Sequence, residues 1–160
     1  MTKKIIFSTG GTGGHIFPAI SLMKYFSNKG YEVLLVTDSR GNIFLKDKTQ
    51  FRSYIIKADT PFNKNFFIKI FSFAMVIFSI VKSILILKRE KPDLIIGFGG
   101  YVSFPISFSS RFYKIPLVIY ENNSVLGRTN KNLLPISKKL LIGTKVPVNL
   151  PEKYKKKFML

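Results

Sequence analysis

The chain has 160 residues, one ordinary α/β domain with room for a sizeable core and little room for a second. It has no cysteine, which excludes disulfides, thiolate metal sites and sulfur redox chemistry. The 26 Lys and Arg against 8 Asp and Glu leave +18, a field that favours anionic partners, although AT-rich coding would enrich Lys, Ile, Asn and Phe by itself. Nucleic acid is not the expected partner, because no helix-turn-helix signature, zinc-finger spacing or RNP aromatic motif accompanies the charge. Anionic lipid or a phosphorylated substrate matches it better. Met1-Thr2-Lys3-Lys4 is basic, but the apolar run after it is too short for a signal peptide, so the expected compartment is the cytoplasm.

Residues 3–8 are an apolar run ended by turn residues, which predicts a buried parallel strand. Ser8-Thr9-Gly10-Gly11-Thr12-Gly13-Gly14-His15 then joins that strand to a helix through four glycines and the chain's one histidine. Such a turn lets backbone N–H groups approach an oxygen-rich ligand, and the positive end of the following helix favours an anion. A phosphate or diphosphate is the natural ligand, with plain packing of helix on strand as the competing use of the glycines. Neither G-x-G-x-x-G nor a P-loop fits. Ile16, Ile20, Met23 and Phe26 recur at helical spacing, Asn28-Lys29-Gly30 supplies a stop, and residues 31–37 predict a second strand parallel to the first. Asp38 reads as a turn or cap residue rather than a ribose ligand.

Residues 51–56 predict a third strand and 58–61 a turn. The segment 65–88 is almost wholly apolar, with Asn65, Lys69, Ser72, Ser79 and Lys82-Ser83 forming a narrow polar stripe at helical spacing. Its charge-free stretch, 70–81, is short for a span, although 70–87 carries only Lys82 and keeps that option open. As a core helix it is wider than one sheet face needs. The favoured expectation is mixed: one side on the sheet and another on a membrane surface, with Lys64, Lys69, Lys82, Lys88 and Arg89 meeting anionic headgroups. Phe66, Phe67, Phe71, Phe73 and Phe78 are the expected membrane contacts.

Residues 93–97 predict a fourth strand leading into a second glycine turn, Phe98-Gly99-Gly100-Tyr101-Val102-Ser103-Phe104-Pro105. Residues 116–120 predict a fifth strand followed by Glu121-Asn122-Asn123-Ser124, 127–134 a short helix stopped by Pro135, and 139–142 a sixth strand. Three polar loops then share the carboxyl edge of an open parallel sheet, the edge where such sheets bind ligands. The titratable groups on offer are His15, Tyr101, Glu121, Arg128 and Lys131. His15 suits a general base near neutral pH or a helix cap, and Glu121 suits orienting a hydroxyl, binding a sugar or capping a turn. No Asp-x-Asp pair is present to hold a divalent cation, so a diphosphate would rest on backbone amides and basic side chains.

Gly10-Gly11-Thr12-Gly13-Gly14-His15-Ile16-Phe17-Pro18-Ala19, Gly99-Gly100-Tyr101-Val102-Ser103 with Pro105, and Glu121-Asn122-Asn123 with Thr129-Asn130-Lys131 resemble the three motif regions of the amino-terminal domain of the MurG family. Order and approximate spacing match from about residue 3 to about residue 143. The family transfers N-acetylglucosamine from UDP-N-acetylglucosamine to undecaprenyl-diphosphate-linked N-acetylmuramoyl-pentapeptide in peptidoglycan synthesis. The resemblance implies a GT-B fold, of which this chain is the N-terminal, Rossmann-like half: an open parallel sheet with helices on both faces. It also implies an inverting, metal-independent transfer without cofactor, and peripheral attachment to the cytoplasmic face of the inner membrane. By the same resemblance Thr12, Gly13, Gly14 and Asn123 contact the UDP-sugar. Gly10, Gly11, Gly99, Gly100 and Tyr101 cradle the acceptor diphosphate, and His15 and Glu121 are the catalytic pair, with His15 the base.

This chain reads Tyr120-Glu121-Asn122-Asn123 where the family usually reads His-Glu-Gln-Asn. The expected organisation is an acceptor-side domain over 1–145, then a Lys-rich tail or start of an interdomain linker over 146–160, with the donor domain that the family carries beyond this point absent. Activity from these residues alone is not expected, because half of a two-domain cleft cannot hold the leaving UDP. The alternatives are the membrane-bound half of a two-chain glycosyltransferase, with a separate donor-side partner, and a non-enzymatic module that binds lipid diphosphates.

Overall fold

Among the described residues, seven strands build one all-parallel sheet. They are β1 (Lys4–Ser8), β2 (Glu32–Thr37), β3 (Arg52–Ile55), β4 (Leu94–Gly97), β5 (Leu117–Glu121), β6 (Lys139–Ile142) and β7 (Phe158–Met159), in the order β3-β2-β1-β4-β5-β6-β7. The helices are α1 (Gly13–Asn28), α2 (Ser39–Lys46), α3 (Phe66–Glu90), α4 (Ser103–Ser109) and α5 (Arg128–Leu133), with 3-10 turns at Ser110–Tyr113 and Glu152–Lys157. This computed structural model describes residues 2–46, 51–57, 66–143 and 146–159, with 45, 46, 66–69 and 159 in backbone only. The turn expected at 58–61, Lys64 and Asn65 lie outside the described residues, as do the side chains of Lys69, Phe66 and Phe67.

The strand order reverses between β1 and β4, so the crevice at their carboxyl ends is the topological switch point of the sheet. Strand sequences alternate between two covered faces, which is why β1 and β4 read as unbroken apolar runs. Ile5 and Phe7 pack with Ile16, Ala19, Ile20 and Met23 of α1, whereas Ile6 points the other way, into the cluster of Ile86 and Leu87 of α3, Ile106 of α4 and Leu133 of α5.

In α3 the polar stripe turns inward. Ser72, Ser79 and Ser83 are buried, Ser79 Oγ donates to the Lys57 carbonyl, and Lys82 Nζ donates to the Ile55 carbonyl at 2.7 Å. The outward side is apolar, with Phe71, Phe73 and Phe78 exposed to 65%, 61% and 70% beside Ile70, Ile77, Val81 and Leu85. That is the reverse of an ordinary surface helix, which turns its polar stripe to water. Glu90 fastens the far end of α3 beneath the sheet: its carboxylate meets Lys4 Nζ at 2.9 Å and Arg52 Nη2 at 2.8 Å, and accepts from the Tyr54 hydroxyl.

Three elements go beyond the pattern-based expectation. Helix α2 follows Asp38, whose Oδ1 accepts from the Gly41 amide at 2.8 Å, so Asp38 acts as the cap that its position suggested. Helix α4 is built on serines, which are poor helix formers, but here they let it sit close to β1, β4 and α3. Ser8 Oγ and Ser107 Oγ lie 3.1 Å apart, and Ser109 Oγ bonds back to the Pro105 carbonyl at 2.7 Å. The Lys-rich tail folds back: β7 pairs beside β6, and Lys157 Nζ donates to the carbonyls of Leu134 at 2.6 Å and Ser137 at 2.5 Å, closing the end of α5. Burial lowers the pKa of Lys157 from the ordinary lysine value.

Candidate functional site

The loops after β1 and β4 are one structure. The Gly10 amide donates to the Gly99 carbonyl at 3.1 Å, and a side chain on Gly100 would begin 2.9 Å from the Gly10 Cα, with φ of Gly100 at +76°. Glycine is therefore required at position 100 by backbone meeting backbone, and a side chain at position 10 would press on the Gly100 Cα at 3.2 Å. Gly11 is held by Asp38, against whose carboxylate and the Gly41 amide any side chain would collide. Burial works against ionising Asp38, but the Gly41 amide, the Arg40 guanidinium and the Gly11 amide together hold its carboxyl below the usual range. The Gly10 amide, assigned by resemblance with Gly11 to the acceptor diphosphate, is thus already bonded within the protein, and both residues shape the loop.

Gly14 differs. Nothing lies within 4 Å of the point where its side chain would start, so no packing demands glycine there. It opens α1 together with Gly13, after Thr12, which caps with its carbonyl but makes no side-chain hydrogen bond to the free amides. The His15 and Ile16 amides donate to the Thr12 carbonyl at 3.0 Å, and Gly13 and Gly14 precede them without a side-chain cap at the positive end of a 16-residue helix.

His15 follows in that turn and is half-buried. With Gly99, Gly100, Tyr101, Glu121, Asn123, Gly127, Arg128, Thr129 and Asn130 it lines a cavity of about 200 Å³ at the carboxyl edge. The expected residues from the second and third loops thus meet His15, while Thr12, Gly13 and Gly14 stand outside this cavity on the same turn. A larger cavity of about 510 Å³, bordered by Arg111, Lys114 and Lys138, lies at the start of β5, the opposite edge, away from all three motifs.

Glu121 is 1% exposed, and both its oxygens are occupied. Oε1 accepts from the Asn123 amide at 3.0 Å and Asn123 Nδ2 at 2.8 Å, and Oε2 from the Gly127 amide at 2.9 Å and Asn130 Nδ2 at 3.0 Å. Four donors saturate a carboxylate, so Glu121 organises the loop around it rather than offering a lone pair to a reacting group. The same loop is strapped from outside. Asn149 Oδ1 accepts from the Leu126 amide at 2.6 Å, its Nδ2 donates to the Leu126 carbonyl at 3.2 Å, and the Val148 amide donates to the Ser124 carbonyl at 3.0 Å. Asn149 carries no sequence signal, since its partners lie 23 residues away and no motif surrounds it.

A family profile, the glycosyltransferase family 28 N-terminal domain, matches residues 5–142. The UDP-N-acetylglucosamine–N-acetylmuramyl-(pentapeptide) pyrophosphoryl-undecaprenol N-acetylglucosamine transferase of Rickettsia rickettsii (strain Sheila Smith) is 36% identical over 158 residues, 99% of this chain and 41% of the relative. The protein of the same name from Wolbachia sp. subsp. Drosophila simulans (strain wRi) is 40% identical over 143 residues, 89% of this chain and 39% of the relative. The crystal structure of Acinetobacter baumannii MurG matches with a TM-score of 0.79 at 28% identity, over 94% of this chain and 44% of that one. A glycosyltransferase from Rickettsia africae ESF-5 shares the fold, with a TM-score of 0.70 at 15% identity, over 99% of this chain and 42% of that one. The chain spans about two-fifths of the length of the curated relatives it matches.

Proposed function

Because the chain belongs to the glycosyltransferase family 28 N-terminal domain family, we propose that it is the acceptor-side half of an enzyme that moves N-acetylglucosamine from UDP-N-acetylglucosamine to undecaprenyl-diphosphate-linked N-acetylmuramoyl-pentapeptide. The observation that carries this reading is the convergence of His15, the Gly99-Gly100-Tyr101 loop and Asn123 at the β1/β4 switch point. Gly13 and Gly14, with Thr12, face the sugar nucleotide through free amides, and the Gly99-Gly100-Tyr101 loop faces the acceptor diphosphate. His15 takes the proton of the acceptor hydroxyl as its oxygen attacks the anomeric carbon. The bond from that carbon to the UDP oxygen breaks, UDP leaves with the electron pair, and the configuration inverts. Glu121 holds the third loop in shape for this step. The remaining three-fifths of the relatives' length supplies what holds UDP, either in continuous chain or as a separate partner.

Helix α3 carries a second role. One face packs on the protein through its serines, and Glu90 is tied to Lys4 and Arg52, so the helix lies along the domain with its phenylalanines outward. The stretch Ile70–Glu90 is long and apolar enough to cross a membrane, but a spanning helix would have to leave these polar contacts. We infer that it rests on the cytoplasmic face of the membrane, where the acceptor lipid is anchored.

The test is transfer of labelled N-acetylglucosamine to the lipid-linked acceptor, by this chain alone and with the remainder of the enzyme supplied. Product is expected only in the mixture, and His15→Ala should lower its kcat by about 10²–10⁴-fold. No product from the folded mixture would overturn the transferase reading. Full turnover in His15→Ala would remove the base assignment alone.

A further inference from the structure

Asn130 is 1% exposed and its two amide atoms have unequal fates. Nδ2 donates to the Tyr120 carbonyl at 3.1 Å and to Glu121 Oε2 at 3.0 Å, which fixes which way the amide faces. Oδ1 is buried and has no hydrogen-bond partner. A buried acceptor without a donor is rare in native proteins and calls for a partner that the static arrangement does not show.

His15 borders the same space. The space beside Gly99, where any other residue would carry a side chain, is bounded by His15 Cε1 at 3.4 Å and by Asn130 Nδ2 at 3.4 Å and Oδ1 at 3.6 Å. His15 Cδ2 lies 3.9 Å from the equivalent point on Gly100. A half-turn of the imidazole about Cβ–Cγ exchanges Cε1 with Nε2 and Cδ2 with Nδ1 at the same places, and the two orientations have almost the same shape. In the turned orientation Nε2 takes the place beside the space shared with Asn130, and Nδ1 the place on the Gly100 side of the cavity.

We propose that Asn130 is a positioning residue for His15: its Oδ1, aimed by Glu121 and the Tyr120 carbonyl, accepts the Nε2–H and leaves Nδ1 as the nitrogen that takes the acceptor's proton. The assignment of Nδ1 as base rests on the transferase reading, but the hydrogen bond does not. It explains why a saturated, buried carboxylate stands next to the site: Glu121 orients an amide, and the amide orients the base. It also gives Gly99 a second role, since a side chain there would press on both partners, 3.4 Å from the His15 ring and 3.4–3.6 Å from the Asn130 amide.

The chain has one histidine, so one imidazole contributes to its nitrogen spectrum. The experiment is proton–nitrogen correlation of the ¹⁵N-labelled chain at neutral pH. A ring N–H bonded to a buried amide oxygen exchanges slowly with water and is visible, and long-range correlations report which nitrogen carries it. The expected result is a visible Nε2–H in the native chain, its loss in Asn130→Leu, and a gain of the Nδ1–H form in Glu121→Gln, where the freed amide can turn its NH₂ toward the ring. Absence of the signal from the native chain would overturn the proposal with no variant needed, as would its survival in a folded Asn130→Leu. In the completed enzyme, Asn130→Leu should lower kcat at least 10-fold while leaving the acceptor KM within about 2-fold. A visible Nε2–H in a completed enzyme that makes no product would leave the positioning contact standing and remove the transferase reading instead.

Discussion

Glycines that look equivalent in the sequence divide sharply once their surroundings are known. Gly100 has positive φ and faces the Gly10 backbone, which cannot yield as a flexible side chain could. Gly100→Ala should therefore cost about 2–4 kcal/mol, read as a lowered urea midpoint at unchanged m. Gly14 sits in open space within the first turn of α1, so Gly14→Ala should leave stability unchanged or raise it by up to about 1 kcal/mol. Yet on the proposed function it should raise the KM of the completed enzyme for the sugar nucleotide, because a methyl group would stand where that reading has the ligand approach the amides. Equal effects of the two substitutions on stability would show that glycine at 14 is a packing requirement after all. The sequence alone could not separate these cases, since the distinction lies in what each backbone meets across 90 residues of chain. The same holds for Glu121, Asn130 and Asn149, whose partners are set by loops folding over one another rather than by any local period.

At the scale of elements, periodicity worked where a helix or strand has one apolar side and failed where small polar residues do the packing. The six expected strands, α1 and α3 follow from apolar runs and helical spacing, and α5 from the Gly127 and Pro135 that bound it. Helix α4 is hidden by serines whose hydroxyls bond to their own helix and to β1, and β7 by a lysine run that reads as a solvated tail. The width of the apolar surface on α3 was legible, but its direction was not: burial of Ser72, Ser79 and Ser83 turns Phe71, Phe73 and Phe78 outward. Replacing Phe71 and Phe78 by Glu should leave folding intact, since both are mostly exposed. It should also reduce the vesicle-bound fraction in flotation on anionic liposomes, with a partition coefficient lowered on the order of 10²-fold. Retention unchanged by the double substitution would rule out the exposed face as the membrane contact.

Across the whole molecule, an excess of 18 positive charges sets how every condition acts on it. Glu90 is a structural carboxylate: burial opposes ionising it, but Tyr54, Lys4 and Arg52 hold its pKa below the ordinary 4.5. Lys4, despite its own burial, is raised above 10.5 by Glu90 and Glu32. A depressed carboxyl contributes stability above its unfolded pKa and loses it as pH falls through the folded value. The Glu90 contribution is therefore complete above about pH 4.5 and fades below it, while that of Lys4 is complete below about 10.5 and fades above it. Glu90→Gln should lower stability near pH 7 by about 2–3 kcal/mol and flatten the acid limb of the urea midpoint against pH. An acid limb as steep as in the native chain would place the acid-sensitive group elsewhere. The same excess charge makes folding and membrane binding respond to salt in opposite directions. Raising ionic strength from about 50 to about 500 mM shortens the screening length severalfold, which relieves self-repulsion and should raise the thermal midpoint. It should also weaken attraction to anionic vesicles and lower the floated fraction. Both responses come from one field, so they are expected together. A midpoint that rises while flotation stays constant would mean that the apolar face of α3 holds the membrane without help from the lysines, and that the charge serves another anionic partner.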